Sequence, residues 1–193
     1  MTLDKIKKLR EKTGAGVVDA KKALEEAGGD EEKAIEIIRK KGQAKALKKS
    51  DREAKEGVIS SYVHSNLKIG AMVKLYCETD FVARNSEFQQ LAKDIAMHIA
   101  AMDPKFIKPE DVSSEIIKKE KEIWTEQLKK EEKPEKMLHK ILEGKEKKFR
   151  EESALLTQSF VKNPEITIGE LIAEKVGKIG ENIQVGGFVR YEL

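Results

Sequence analysis

The spacing of apolar residues changes period twice along this chain, and that change limits the possible folds more than any other feature. From Gly57 onward, apolar and polar residues alternate with a period of two, which is typical of strands. Around Phe88 the spacing returns to three and four residues, which is typical of helices. Because helical patterns flank a short stretch of strands, we expect an α+β protein.

Three short helices are predicted before Gly57. Each has its own apolar stripe: Leu3, Ile6 and Leu9; Ala20, Ala23, Leu24 and Ala27; Ala34, Ile35, Ile37 and Ile38. Asp30 is placed to cap the third helix, which is expected to end before Gly42 behind three cations. We predict a separate three-helix module over residues 1–45, then a linker over 46–56, with the polar stretch 43–56 in helical conformation.

Residues 57–193 are expected to form an α+β core. Residues 57–78 predict an antiparallel hairpin, because two alternating runs flank a short polar turn. Alternation at the C-terminal end predicts a third strand of the same sheet. Four helices are expected to cover this small three-stranded antiparallel sheet. Their apolar stripes are Leu91, Ile95, Ile99 and Met102; Ile117, Trp124 and Leu128; Leu138, Ile141, Leu142 and Phe149; and Ile168, Leu171, Ile172 and Ile179. The third of these helices is expected to begin at Pro134, and the fourth to begin at Thr167 and end before Gly180.

Charge and cysteine content restrict the possible partners and compartment. Lysine plus arginine number 38 and aspartate plus glutamate 35, so any nucleic-acid footprint is weak and a protein partner is favoured. A basic ribosome- or RNA-associated chaperone, using the cations of residues 43–56, remains the alternative. The single Cys77 excludes an intrachain disulfide. The sequence shows neither a signal peptide nor an apolar run of about 20 residues, so we expect a cytoplasmic protein without membrane contact.

No set of residues in the sequence composes an active site, so we expect neither an enzyme nor a cofactor or metal site. His64, His98 and His139 lack the spacing of zinc ligands, and no phosphate-binding glycine motif is present. Cys77 could form a nucleophile pair with His64 across the hairpin. It also falls on the inward face of its strand, where a thiol usually serves as a small apolar group.

Residues 78–85, between the second strand and the long helix, are the unusual segment. One interpretation is a plain connection, in which Asn85 or Ser86 caps the following helix and Phe81 tucks into the core. The other is a binding loop, because Asp80 stands directly beside a large aromatic residue and aromatic residues often anchor protein interfaces.

Several separate motifs occur along the chain in one order. They are Leu9-Arg10-Glu11-Lys12-Thr13-Gly14-Ala15-Gly16, Lys21-Lys22-Ala23-Leu24, Gly29-Asp30 through Gly42, Glu56-Gly57-Val58-Ile59, Cys77-Glu78-Thr79-Asp80-Phe81-Val82-Ala83, Gln158-Ser159-Phe160-Val161-Lys162-Asn163-Pro164, and Lys178-Ile179-Gly180-Glu181-Asn182-Ile183 through Phe188-Val189-Arg190. On these motifs the chain resembles the elongation factor Ts family over nearly its entire length.

The resemblance implies a guanine nucleotide exchange factor that makes elongation factor Tu release GDP. Residues 1–45 would be a ubiquitin-associated-like bundle that docks on the GTPase domain of elongation factor Tu, with Thr13, Gly14, Ala15 and Gly16 as contacts. Thr79, Asp80, Phe81 and Val82 would form a loop at its magnesium site, with Asp80 and Phe81 intruding. Many family members carry a duplicated core, whereas this chain has room for one, so we expect a homodimer with residues 57–193 as the dimerisation domain.

Overall fold

A computed structural model of the protein describes residues 2–130 and 135–193. The predicted opening of a helix at Pro134 lies outside the described residues. One compact unit comprises the chain up to Ala100 together with Gly169–Leu193, and a second comprises Ala101–Ile168. The described residues form helices, a three-stranded antiparallel sheet and a short two-stranded one, so the predicted α+β class is confirmed.

The first three helices are α1 (Leu3–Thr13), α2 (Val17–Glu26) and α3 (Glu31–Leu47). Their stripes meet in a core cluster of their own: Ile6, Leu9, Ala20, Ala23, Leu24 and Ala34. Asp30 caps α3 as predicted, because its Oδ1 accepts a hydrogen bond from the Lys33 amide at 3.1 Å. The three predicted helices are therefore present and share one small core.

The predicted end of the third helix at Gly42 is wrong, since α3 continues to Leu47. Gly42 packs closely against a later helix: a Cβ built on Gly177 would lie 3.6 Å from the Gly42 Cα atom. The glycine therefore permits close approach of two backbones and does not stop the helix. The helix predicted over residues 43–56 is confirmed only as far as Leu47, because turns begin at Lys48 and lead into extended chain.

The sheet consists of β1 (Glu56–Val63), β2 (Ile69–Cys77) and β5 (Gln184–Glu192), with β2 in the centre. Both pairings are antiparallel, as predicted. The inward face of β2 is almost completely buried and carries Ala71, Val73, Leu75 and Cys77.

The register between β2 and β5 shifts at Lys74, because Gly186 is inserted opposite this point. The insertion exchanges the faces of β5, so Phe188 pairs with Val73 while Val189 and Tyr191 are exposed. The simple alternation seen in the sequence therefore does not place all of the apolar side chains of β5 on one face.

A one-turn helix, α4 (Asp80–Ala83), connects β2 to the long helix α5 (Ser86–Met102). The predicted stripe of α5 is buried at Leu91, Ile95 and Ile99. Met102 is 46% exposed, so its assignment to the stripe is wrong. It is the last residue of the helix, where the periodic pattern no longer determines burial.

The second unit contains α6 (Ser114–Lys130) and α7 (Glu135–Ser153). The predicted stripe of α6 is buried at Ile117, Trp124 and Leu128. Trp124 meets Phe149 of α7 edge to face, with ring centroids 5.8 Å apart. A short antiparallel pair, β3 (Ser159–Phe160) and β4 (Asn163–Thr167), was not predicted. The last helix, α8 (Ile168–Ile179), lies in the first unit from Gly169 onward and ends before Gly180 as expected.

Candidate partner-binding site

The segment that follows β2 presents an apolar side chain to solvent. Phe81 lies on the one-turn helix α4 and is 82% exposed, whereas Ala83 and Phe88 are buried. Asn85 caps α5, since its Oδ1 accepts a hydrogen bond from the Glu87 amide at 2.7 Å. The cap agrees with the connecting-loop interpretation, but the prediction that Phe81 tucks inward is wrong. The aromatic ring is available to a partner.

The other residues of α4 surround Phe81 with polar contacts. Thr79 caps the short helix, because its hydroxyl accepts a hydrogen bond from the Val82 amide at 3.4 Å. Asp80 forms an ion pair of 3.1 Å with Arg84, and both side chains remain largely in water. Pairs of this kind contribute little to stability. The carboxylate of Asp80 can therefore exchange its partner at small cost.

Two acidic residues hold the start of this segment. Glu181 Oε2 accepts hydrogen bonds from the Glu78 and Thr79 amides, both at 3.1 Å, and its Oε1 accepts one from the Thr79 hydroxyl at 2.6 Å. In return, Glu78 Oε1 accepts a hydrogen bond from the Asn182 amide at 2.6 Å. Sequence reasoning did not single out Glu181 as a site residue. The available signal was its position in the motif from Lys178 to Ile183.

Cys77 lies beside this segment but has the properties of a structural thiol. Its side chain is fully buried, and its Sγ donates a hydrogen bond to the Thr79 carbonyl at 3.2 Å. Burial, followed by the charge of Glu181, raises the pKa of the Cys77 thiol to about 11. The partner considered from the sequence, His64, is exposed and bonds to the Tyr62 hydroxyl at 3.1 Å. The geometry thus favours an inert thiol over a nucleophile.

The other candidate segment, Thr13 to Gly16, forms the turn between α1 and α2. The Thr13 hydroxyl is buried and donates a hydrogen bond to the Leu9 carbonyl at 2.7 Å. Gly14 has a φ of 64°, a left-handed conformation that glycine adopts at little cost. Ala15 packs against the bundle core, and Gly16 is exposed at the start of α2. Thr13 therefore supports the turn from inside, and its side chain is turned away from solvent.

Two exposed apolar residues next to this turn were not predicted as site residues from the sequence. Val17 and Val18 open α2 and are 52% and 63% exposed. The signal was present, because both residues fall outside the predicted stripe that begins at Ala20. Together with Gly16 they form an exposed apolar surface on the N-terminal bundle, which we call the α2 surface.

The two candidate segments are structurally linked through the end of α8. A Cβ built on Gly14 would lie 3.5 Å from Lys178 Cδ, so that turn packs beside α8. Three residues later Glu181 holds Thr79. Both segments thus lie against one stretch of chain, 178–181.

Within residues 2–130 and 135–193, no cluster of three or more histidine, cysteine or acidic side chains could hold a metal ion. No helix in the described part of the chain is both long and apolar enough to cross a membrane. His98 is buried in α5, while His139 is exposed and lies 3.5 Å from Glu143 of the same helix.

Comparisons with known proteins agree on one family. A family model described as Elongation factor TS matches residues 3–193. Elongation factor Ts of Thermodesulfovibrio yellowstonii is 58% identical over 193 residues, which cover 100% of this chain and 96% of that protein. The protein of the same name from Thermosipho melanesiensis is 57% identical over 188 residues, covering 97% of this chain and 96% of that protein. The one from Carboxydothermus hydrogenoformans is 52% identical over 193 residues, with 100% and 89% coverage.

Proposed function

This chain belongs to the elongation factor Ts family, and we propose that it is a guanine nucleotide exchange factor that promotes GDP release from elongation factor Tu in the cytoplasm. It makes and breaks no covalent bond and uses no cofactor. Its partners are the nucleotide-free and GDP-bound forms of elongation factor Tu. The observation that carries the proposal is the exposed Phe81 on a short helix that hydrogen bonds hold at its base.

An exchange factor is needed because tight nucleotide binding makes release slow. Nanomolar affinity corresponds to about 12 kcal/mol of binding free energy. With an association rate constant of about 10⁶ M⁻¹s⁻¹, such a complex releases its nucleotide on a timescale of minutes. A factor that binds the nucleotide-free form more tightly lowers the affinity for GDP by the same ratio, because the two binding equilibria are linked.

Phe81 and Asp80 supply the contact that differs between the two forms of elongation factor Tu. The Phe81 ring stays in water in the free factor, and burying a side chain of this size contributes about 1.5–3 kcal/mol. If this burial occurs only in the opened nucleotide site, it stabilises that state. The exposed carboxylate of Asp80 enters beside it and disturbs the loops that hold magnesium and phosphate. Thr79 and Val82 complete the contact at the base of α4.

Residues 1–45 dock on the GTPase domain of elongation factor Tu through the turn Thr13 to Gly16 and the α2 surface. Support comes from the exposed Val17 and Val18, which the bundle does not use for its own core. Residues 46–56 connect this module to the core formed by residues 57–193. This division predicts that residues 1–45 keep helical circular dichroism as an isolated fragment.

We further propose that two copies pair through the open face of the sheet. That face carries apolar side chains on all three strands: Ile59, Val63, Met72, Val189 and Tyr191, each more than 40% exposed. A single face that meets its own copy around a two-fold axis gives a closed dimer. Light scattering at tens of micromolar should give twice the chain mass of 21.8 kDa, whereas a monomer mass would contradict pairing. Met72→Glu should shift the protein to the monomer.

The alternative of an RNA-associated chaperone has less support, because cations of residues 43–56 have protein partners. Lys45 pairs with Asp19 at 2.9 Å, and Lys55 pairs with Glu53 at 2.7 Å. Lys49 donates a hydrogen bond to the Gly180 carbonyl. The two ion pairs reduce the free positive charge that phosphate binding would require, and the contact with Gly180 holds the Lys49 ammonium against the protein.

The proposed function is tested by release of fluorescent GDP from elongation factor Tu with and without the protein. We expect release to accelerate with factor concentration and to reach a maximum. Unchanged release, combined with RNA binding that weakens steeply with salt, would contradict exchange and favour the chaperone.

A further inference from the structure

We propose that Glu181 is a positioning residue that fixes the base of α4 and thereby sets where Phe81 meets the partner. The inference rests on the proposed exchange function and adds to it a residue outside the loop. Glu181 stands 100 residues later in the chain than Phe81. It reaches the loop from the segment between α8 and β5.

Glu181 binds three donors in two consecutive residues. One carboxylate oxygen accepts both the Glu78 and the Thr79 amide, each at 3.1 Å. The other accepts the Thr79 hydroxyl at 2.6 Å. Hydrogen bonds to an ionised carboxylate are roughly twice as strong as those between neutral groups. The backbone is thus held at the two residues that immediately precede Asp80.

The contact also orients the cap of α4. The Thr79 hydroxyl has one hydrogen, which it donates to Glu181, so its lone pairs remain free to accept the Val82 amide. The Thr79 carbonyl in turn accepts the first backbone bond of the short helix, from the Ala83 amide at 3.2 Å. A four-residue helix has almost no intrinsic stability. Its conformation therefore depends on the cap that Glu181 orients.

The segment that carries Glu181 is itself fixed. The Asn182 side chain is buried and donates to the carbonyls of Ser50 at 3.3 Å and Arg52 at 2.7 Å. Its backbone amide donates to Glu78 at 2.6 Å. On the other side of Glu181, the Gly180 amide donates to the Val176 carbonyl at 2.9 Å. Glu181 is therefore a rigid support, because the residues before and after it are both held by hydrogen bonds.

Removing the carboxylate should release α4 while leaving the buried core intact, since all three donors lie at the surface end of β2 and beyond it. Glu181→Ala leaves the base of α4 without a fixed partner. In Glu181→Gln, the amide oxygen can still accept the two backbone amides, and the amide nitrogen can donate to the Thr79 hydroxyl. Glu146→Ala is the matched control, because Glu146 is a partly buried glutamate bound by Lys121 and Arg150 in α6 and α7.

The test measures GDP release from elongation factor Tu as a function of factor concentration, together with the melting temperature of each variant. Glu181→Ala should lower the maximal release rate about fivefold or more. Glu181→Gln should restore most of it, and Glu146→Ala should match the wild type. Combined with Phe81→Ala, Glu181→Ala should cause a smaller further loss than it causes alone, because the largest side chain that it positions is already absent.

A wild-type maximal rate for Glu181→Ala would overturn the inference, as would a loss that adds fully to that of Phe81→Ala. If Glu181→Ala does not fold, Glu181→Asp takes its place under the same criteria, because the shorter side chain cannot reach all three donors. If Phe81→Ala slows GDP release while Glu181→Ala releases GDP at the wild-type rate, only the positioning role of Glu181 is refuted. Failure of the wild-type protein to accelerate release refutes both this inference and the proposed function.

Discussion

Only two residues separate β2 from the short helix α4, yet the inward face of β2 buries its apolar side chains and α4 exposes one. Val73, Leu75 and Cys77 are completely buried, whereas Phe81 is 82% exposed. A folded chain normally buries a large aromatic side chain if its backbone allows. Here Phe81 stays in water on a short helix whose base is held by hydrogen bonds to Glu181. The difference separates the residues that maintain the fold from those that can act on a partner.

We expect the largest effect on stability from a substitution among the buried side chains. Leu91→Ala on α5 should lower the free energy of unfolding by about 2–5 kcal/mol, because it leaves a cavity among buried side chains. GDP release per folded molecule should stay unchanged. Denaturant unfolding measures the loss of stability, and the release assay measures exchange; both are run below the melting temperature. Loss of exchange in the fully folded variant would show that the core and the site are not separable.

Cys77 provides a pH-dependent test of the buried face of β2. The pKa of the folded thiol is raised to about 11 from an ordinary value of 9.0, so the folded state retains its proton longer than the unfolded state. Well below pH 9 the Cys77 thiol is protonated in both the folded and the unfolded state, so it does not lower the stability. As pH rises from 9 to 11, the unfolded state ionises first, and stability should fall by up to about 2–3 kcal/mol.

Urea unfolding at several alkaline pH values measures this loss. Cys77→Ala should be less sensitive to pH in that range than the wild type, although its stability at neutral pH is lower. The variant should also exchange GDP normally at pH 7. Equal pH profiles for the two proteins would mean that the Cys77 thiol ionises as easily in the folded as in the unfolded chain.

On the exposed side, Phe81→Ala should slow GDP release tenfold or more and leave the melting temperature nearly unchanged. Loss of about 1.4 kcal/mol of differential contact suffices for a tenfold change. A buried phenylalanine would instead cost about 3–5 kcal/mol of stability on the same substitution. Stopped-flow release and a thermal melt separate the two outcomes. A large drop in melting temperature would assign Phe81 to the core.

The smallest effect is expected for Asp80→Ala, which should slow release about threefold, less than the loss for Phe81→Ala. Its ion pair with Arg84 is exposed and contributes at most about 1 kcal/mol to stability. Arg84→Ala removes the same ion pair and is the control. If Arg84→Ala slows release as much as Asp80→Ala, the ion pair and not the free carboxylate is what matters.

Local patterns in the sequence predicted the parts of the fold that depend on neighbouring residues. The strand period placed Val73 and Leu75 on a buried face, and the polar residue before the third helix identified the cap at Asp30. Features set by distant contacts were not predictable in this way. The close approach of Gly42 to Gly177 and the insertion at Gly186 both depend on another element of the chain.

The candidate site shows the same division. The resemblance identified Asp80 and Phe81, but periodicity alone allowed Phe81 to be buried or exposed. The hydrogen bonds that hold the residues before Asp80 come from Glu181, about a hundred residues away in sequence, and no local pattern reports that contact. Val17 and Val18 could have been found, because they are apolar residues outside the predicted stripe that begins at Ala20.

The most direct measurement is the maximal rate of GDP release from elongation factor Tu with the wild-type protein and with the Asp80→Ala/Phe81→Ala double variant. We expect the wild type to accelerate release. In the double variant we expect a loss of tenfold or more, smaller than the product of the two single losses because both residues act as one unit. Melting temperatures should agree within a few degrees. Normal release by the folded double variant would contradict a role of α4 at the nucleotide site.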